Sequence, residues 1–118
     1  MKQRFSLLLI GILMAVSCVK ADVTFRVNVP SGTKYGYVVG GLPELSSWAA
    51  GAAVSMDKVV GKDQFTVTIP GITTADVAAS EGYKYICGPE WKYVEKTASG
   101  DEVTNRKTVG NPDVVAKW

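Results

Sequence analysis

The chain has 118 residues, and its 13 lysines and arginines against 11 aspartates and glutamates give a formal net charge of +2. This length allows one small domain and no more. Because the sequence has no histidine, no glycine-rich phosphate loop and only two cysteines, we predict no metal site, no cofactor and no catalytic residues.

The first 21 residues have the composition of a bacterial export signal. Lys2 and Arg4 form a basic start, and an apolar run follows over residues 5–16. That run is too short to span a bilayer as a permanent helix. We therefore expect residues 1–21 to be an export signal and residues 22–118 to form one exported domain, which is periplasmic, at the cell surface or secreted.

Two cleavage routes fit this segment. Val19-Lys20-Ala21 suits cleavage before Asp22, whereas Ala15-Val16-Ser17-Cys18 is a loose lipoprotein signal that would leave a lipidated Cys18. We favour cleavage before Asp22, because few residues would separate a lipid on Cys18 from the first strand. A membrane is expected as a partner only if Cys18 is lipidated.

Removal of the signal changes the charge and the cysteine content. The signal contains three basic and no acidic residues, so 10 basic and 11 acidic residues remain. This balance gives no reason to expect nucleic acid or an anionic membrane surface as a partner. Cys87 is then the one remaining cysteine, and packing must stabilise the domain. We expect Cys87 to be a small buried apolar residue, with a reactive thiol as the alternative.

Short runs of alternating apolar and polar residues are typical of β-strands. Residues 72–80 are ambiguous and allow one short helical turn. The spacing of the runs predicts an all-β fold, an antiparallel immunoglobulin-like β-sandwich of about seven strands. The predicted strands cover residues 23–29, 35–39, 54–60 (weaker), 64–69, 83–87, 91–95, 107–109 and 114–118.

Residues 82–106 contain four of the eight Trp and Tyr residues of the chain. Alternation places Tyr83 and Tyr85 on one face of the first strand, and Lys84 on the opposite face. In the second strand, Trp91, Tyr93 and Glu95 are expected to share a face. Such a hairpin suits either a shallow sugar-binding surface or the core of a small sandwich.

A loop of two glycines, Leu42-Pro43-Glu44-Leu45, two serines and Trp48 follows the second strand. The glycines Gly40 and Gly41 are expected to let the backbone turn sharply. Leu42 and Leu45 are predicted to pack under the sandwich. Trp48 would then lie near the mouth of the loop, where it either caps the core or binds a ligand.

The motif GGLPELSSW, followed by YKYI, an aromatic strand and Asn-Arg, resembles the starch-binding modules of carbohydrate-binding family 20. The glycogen-binding modules of family 48 are close relatives. The segments VTFRVNVP, FTVTIP and VVAKW fall where that family has strands, so the resemblance covers residues 22–118. It implies non-catalytic binding of α-glucan, namely starch, glycogen or maltooligosaccharide. It also implies starch-degrading enzymes or surface proteins of starch-utilising bacteria as further partners.

The resemblance implies a carbohydrate-binding site at Trp48, Lys84, Asn105 and either Trp91 or Tyr93. Position in the strand favours Tyr93 and ring size favours Trp91; because they are expected to share a face, both can contribute. The chain departs from the family pattern in a longer loop at residues 95–104. It also lacks the tyrosines of the family's second site at residues 31–33 and 58–61.

Each polar assignment has an alternative. Lys84 would otherwise be a solvated strand lysine, and Asn105 a turn residue that bonds its own backbone. The alternative function is a structural or adhesive exported β-sandwich that has lost sugar binding. A small glycosidase is a third hypothesis, which we reject because the carboxylates are expected to be solvated on strand edges and a polar loop. These carboxylates are Glu81, Glu90, Glu95, Asp101 and Glu102.

Overall fold

The computed structural model describes residues 21–118 of the chain. The predicted export signal before Ala21, its cleavage and the lipidation of Cys18 lie outside these residues and stay predictions. None of the helices in the described part has the length and apolar character needed to cross a bilayer.

Within residues 21–118, seven strands form two sheets, with strand order β4-β5-β1-β7 in one and β3-β2-β6 in the other. This confirms the predicted all-β sandwich. The strand pairs are antiparallel except for β1 and β7, which run parallel. The strands are β1 (Asp22–Asn28), β2 (Tyr37–Gly40), β3 (Val54–Ser55), β4 (Asp57–Lys58), β5 (Gln64–Pro70), β6 (Tyr83–Ile86) and β7 (Asp113–Val114).

In the described residues, one α-helix and three 3-10 segments connect the strands. Helix α1 (Thr74–Ala79) confirms the helical turn that the sequence allows, and a capping box between Thr73 and Asp76 starts it. The 3-10 segments are Pro43–Trp48, Ala50–Ala52 and Trp91–Tyr93.

The run predicted as one strand over residues 54–60 is divided between the two sheets. Its first part, β3, pairs with β2, and its second part, β4, pairs with β5. Met56 lies between them with its side chain buried in the core. Because β3 and β4 belong to different layers, the prediction of a single strand is wrong.

The predicted strand over residues 107–109 is also absent from the described part. The backbone there serves side chains instead: the carbonyl of Thr108 accepts a hydrogen bond from the Tyr83 hydroxyl, and the Gly110 N–H donates to Asp113. The last strand, β7, begins at Asp113 and is shorter than the sequence predicts.

Two apolar clusters lie on the two faces of the three-stranded sheet. The main core, between the sheets, includes Tyr83 and Tyr85. A smaller cluster of Val39, Ala50 and Ile86 lies apart from that core. The alternation predicted for β6 is therefore confirmed, and its outer face, with Lys84 and Ile86, is directed away from the main core.

A network of hydrogen bonds and ion pairs ties the last part of the chain to the core. Both Tyr83 and Tyr85 donate their hydroxyls to one oxygen of Asp113, at 2.7 Å each. Arg106 contacts both carboxylate oxygens of Glu95, with a shortest distance of 2.6 Å. Glu95 also accepts the backbone N–H of Tyr85 and is fully buried. The expectation that Glu95 is a solvated charge is therefore wrong, because Arg106 supplies its counter-charge.

Candidate functional site

The loop after β2 holds an unusual backbone conformation. Three consecutive residues other than glycine have positive φ angles: 72° at Ser46, 48° at Ser47 and 64° at Trp48. Such angles are uncommon outside glycine, and strained backbone concentrates at functional sites. Leu45, fully buried in the main core, anchors the loop, and Leu42 packs against that core, as predicted. The loop is thus fixed in a shape that carries Trp48 to the outer face of the sheet.

The side chain of Trp48 is fixed by apolar packing and by a hydrogen bond. Its ring packs against the small cluster that includes Ile86, and its Nε1 donates to Glu81 Oε1 at 3.1 Å. A Cβ at Gly41 would lie 3.2 Å from Trp48 Nε1 and 3.1 Å from the Glu81 Cβ. Gly41 leaves room for this close approach. The backbone bends at Gly41, directly after β2, as predicted, although neither Gly40 nor Gly41 has a positive φ angle.

Trp91 lies in a 3-10 turn and not in the predicted strand. The N–H of Tyr93 bonds the Glu90 carbonyl and the N–H of Val94 bonds the Trp91 carbonyl, which closes the turn. Trp91 is 41% exposed and Tyr93 37%, whereas Glu95 is fully buried. The expectation that Trp91, Tyr93 and Glu95 share a strand face is therefore wrong.

The turn brings Trp91 next to Trp48. Their ring centroids are 6.1 Å apart and the ring planes are tilted by 44°. Tyr93 is placed differently: a Cβ on Gly88 would lie 2.5 Å from its ring, and the Lys92 ammonium lies 5.2 Å from its centroid. Of the two aromatic residues that the sequence leaves open, the structure pairs Trp91 with Trp48.

Lys84 lies on the outer face of β6, but it is not a solvated lysine. Its side chain is 9% exposed, and its Nζ is 3.1 Å from Glu102 Oε1, on a side chain that is 81% exposed. A groove of about 510 Å³ opens beside this pair. It is lined by Lys84, Trp91, Val94, Lys96 and Glu102.

Asn105 is exposed and is fixed by a hydrogen bond to the segment that precedes β6. Its Nδ2 donates to the backbone carbonyl of Glu81 at 3.0 Å, so it does not bond its own backbone as a turn residue would. The Asn105 Oδ1 atom makes no hydrogen bond within the described part of the chain. Glu81 thus contacts both Trp48 and Asn105, through its side chain and its backbone respectively.

Glu81 joins Trp48 to Asn105, the Trp48 ring lies beside Trp91, and Trp91 lines one groove with Lys84. Two of the contacting residues, Glu81 and Glu102, were not assigned to the site by the sequence analysis. Glu81 and Glu102 were treated only as solvated carboxylates, and no sequence signal separates them from the other acidic residues. Each now has a partner distant in sequence, Trp48 for Glu81 and Lys84 for Glu102.

The remaining reactive groups are few. Cys87 has a free thiol that is half-buried, not fully buried as expected, and burial raises the pKa of that thiol. A raised pKa disfavours the nucleophilic thiolate. In residues 21–118 we find no group of three or more acidic, cysteine or histidine side chains arranged to hold a metal ion.

No protein-family model matches the chain, and no curated protein matches it either. Among solved structures, the glucoamylase of Hormoconis resinae is similar in fold, with a TM-score of 0.50 and 16% sequence identity. The similar region covers 84% of this chain and 18% of the glucoamylase chain, so this chain corresponds to a small part of that protein. At this identity the likeness shows the sandwich fold alone.

Proposed function

We propose that residues 22–118 bind α-glucan at the exposed surface formed by Trp48 and Trp91, without catalysing a reaction. The observation that carries this proposal is the tilted pair of indole rings, 6.1 Å apart, on the outer face of the sheet. Starch, glycogen and maltooligosaccharides are the ligands with the matching chemistry.

Sugar rings present faces rich in C–H groups, which pack against aromatic rings. Two coplanar rings would suit a flat β-1,4 chain, whereas rings inclined by 44° suit consecutive residues of a curved α-1,4 chain. Trp91 has the more exposed ring, and the fixed ring of Trp48 lies at an angle to it as the second stacking surface. This geometry favours α-glucan over cellulose.

Polar groups beside the rings can orient the bound sugar. Asn105 has a free acceptor, Oδ1, and Lys84 and Glu102 offer a donor and an acceptor in the adjoining groove. Hydrogen bonds at such an exposed site compete with water, so we expect a dissociation constant of about 10 μM to 1 mM. Tyr93 would at most contribute at the edge of this surface.

We further propose that the chain is an exported starch-binding module similar to carbohydrate-binding family 20. The order of the motifs GGLPELSSW, YKYI and Asn-Arg supports this assignment, and the fold likeness to a glucoamylase agrees with it. Under this proposal the module acts in the periplasm, at the cell surface or after secretion. Starch-degrading enzymes or surface proteins would be its functional neighbours.

The absence of enzymatic activity is part of the proposal. A glycosidase needs two carboxyl groups placed on either side of the scissile bond. Here Glu95 is paired with Arg106, Glu102 with Lys84, and Glu81 with the Trp48 indole. These contacts give each of the three carboxylates a structural partner, which argues against their action as an acid–base pair.

One observation favours the second candidate, a structural or adhesive sandwich without a sugar ligand. Trp48 is only half exposed and packs against Val39, Ala50 and Ile86. Its ring thereby stabilises the outer face of the sheet irrespective of any ligand. The two candidates differ in whether Trp91, the more exposed ring, has a partner in solution.

Electrophoresis in native gels tests the two candidates directly. We expect the protein to be retarded by embedded amylopectin or glycogen, compared with a sugar-free gel, and not by soluble cellulose derivatives. Equal mobility in all gels would rule out α-glucan binding and leave the structural candidate. Release of reducing sugar from starch would contradict the non-catalytic assignment.

A further inference from the structure

We propose that Glu102 disfavours anionic polysaccharides in the groove beside Trp91, and that it binds sugar hydroxyls together with Lys84. This inference rests on the proposed function and adds the charge preference of the same site. Glu102 is thus a specificity-determining residue that the sequence analysis did not place in the site.

The groove contains two cations and one anion. Lys84 is nearly buried and directs its ammonium group to the Glu102 carboxylate at 3.1 Å, while Lys96 lines the same groove. Lys96 donates to the Val94 carbonyl at 3.3 Å, a contact that leaves its positive charge unbalanced. Glu102 therefore offsets one of the two positive charges that line this groove.

The position of Glu102 is fixed by the backbone although its side chain is exposed. Glu102 forms an isolated antiparallel bridge with Lys96, and Lys96 forms another with Lys117. The residue consequently stays opposite Lys96 at the rim of the groove. Its carboxylate is presented to solvent from a defined place and not from a free loop.

A carboxylate and an ammonium side by side match adjacent sugar hydroxyls, because a hydroxyl both donates and accepts. An ionised carboxylate uses one oxygen for Lys84 and retains acceptor capacity for a hydroxyl. A uronic acid would instead bring a second anion to Lys84, which is already paired, and Glu102 would repel it and reduce the attraction of Lys96. Exclusion by a like charge is a common source of specificity.

Replacement of Glu102 should reverse this preference. In Glu102→Gln, Lys84 and Lys96 lose the nearby negative charge, and the groove becomes more attractive to anionic polymers. We expect amylopectin affinity to fall about threefold to tenfold, because glutamine retains an acceptor oxygen but lacks the charge that strengthens its hydrogen bonds. Retardation by polygalacturonate should appear in this variant, and it should weaken as salt is added.

Glu44→Gln is the matched control, since Glu44 is exposed and borders a separate cavity with Ile72 and Ala79. It removes the same charge from the protein, and its retardation by amylopectin and by polygalacturonate should be the same as that of the wild type. Glu102→Asp keeps the negative charge and should still exclude polygalacturonate. Circular dichroism of each variant confirms that the compared proteins are folded.

The outcomes separate the two proposals. If wild type is retarded by amylopectin and Glu102→Gln behaves like wild type in both gels, the role of Glu102 is wrong and α-glucan binding stands. If wild type ignores amylopectin, the proposed function is wrong. In that case, a gain of polygalacturonate binding confined to Glu102→Gln would still support the charge role of Glu102. Equal gains in Glu102→Gln and Glu44→Gln would overturn it.

Discussion

On the inner face of β6, Tyr83 and Tyr85 direct both hydroxyls to one oxygen of Asp113, and all three residues are buried. On the outer face of the same strand, Lys84 contacts Glu102, whose side chain is 81% exposed. Inner polar groups therefore have fixed partners that solvent does not reach, whereas the outer pair can exchange a partner for a ligand. The difference indicates that stability and binding can be changed separately, one from each face.

The largest expected effect comes from the buried network. Glu95→Ala leaves the half-buried Arg106 guanidinium and the Tyr85 N–H without the carboxylate that pairs with them. Removal of one partner from a buried pair should lower the free energy of unfolding by about 3–5 kcal/mol. Urea unfolding measures this loss. The exposed Glu90→Ala should change stability by less than about 0.5 kcal/mol, and equal losses in the two variants would contradict the assignment.

High pH tests the same network without a mutation. Burial and the neighbouring Asp113 raise the pKa of Tyr83 and of Tyr85 well above their ordinary value of about 10. The folded state thus keeps two protons that the unfolded state releases above about pH 10. Stability should be unaffected by these groups below that pH, and above it should fall by up to about 1.4 kcal/mol per tyrosine and pH unit.

Unfolding measured at about pH 9 and about pH 11 gives this slope. Tyr85→Phe should reduce it, because one of the two protons no longer contributes. Tyr35→Phe should leave it unchanged, since Tyr35 is 64% exposed. A slope that is the same in all three proteins would show that the buried tyrosines do not control alkaline stability.

On the outer face, removal of a ring should affect binding and not folding. Trp91→Ala should weaken α-glucan binding by about 1–3 kcal/mol, the cost of losing a large aromatic contact. Because Trp91 is 41% exposed, we expect the melting temperature to change little. Affinity electrophoresis measures the change in α-glucan affinity, and thermal unfolding measures the change in melting temperature.

Trp118→Ala is the matched control for this change, since Trp118 packs against the main core and donates to Thr33 Oγ1 at 2.9 Å. It should lose stability and keep its affinity. Trp48→Ala should show both effects in smaller measure, because Trp48 packs on the outer cluster and also faces the ligand surface. If Trp91→Ala unfolds the domain and the folded fraction binds normally, the separation of the two faces is wrong.

The smallest expected effect comes from the residue that positions the site. Glu81→Ala removes the acceptor of the Trp48 indole, so α-glucan affinity should fall by about 1 kcal/mol. Glu81→Gln retains an acceptor oxygen and should restore most of it. Fluorescence of the indoles should report the altered environment of Trp48 in the alanine variant alone. No difference in affinity between the alanine and glutamine variants would remove Glu81 from the site.

Local patterns made much of the sandwich predictable. In β1 and β5, the apolar residues of the alternating pattern face the main core and the polar residues face outward. The residues of β6 alternate between its two faces in the same way. The prediction of one strand over residues 54–60 is wrong because its two halves pair in different sheets, which no local sequence pattern encodes. The strand predicted for the aromatic run at Trp91 is wrong because hydrogen bonds within Glu90–Val94 favour a tight turn over an extended strand.

Candidate site residues could be proposed from the sequence where the residue type itself indicates the chemistry. They could not be proposed where the role depends on a contact with a residue distant in sequence. Asn105 is exposed and Trp48 is partly exposed, while the binding role that the family resemblance implies for both stays a prediction. The contact of Glu81 with Trp48 spans 33 residues, and that of Glu102 with Lys84 spans 18. The burial of Glu95 likewise depends on Arg106, 11 residues away. Such pairings arise from the tertiary fold.

The chain position of Asn105 has a consequence for the thermodynamics of recognition. Its neighbour Arg106 exchanges two backbone hydrogen bonds with Tyr83, each of 2.9 Å, and so anchors the segment to a core strand. A ligand that contacts Asn105 meets a residue whose main chain is already ordered. Less conformational entropy is then lost on association than with a side chain on a free loop. Weak affinity at this surface would therefore reflect competition with water and not the cost of organising the protein.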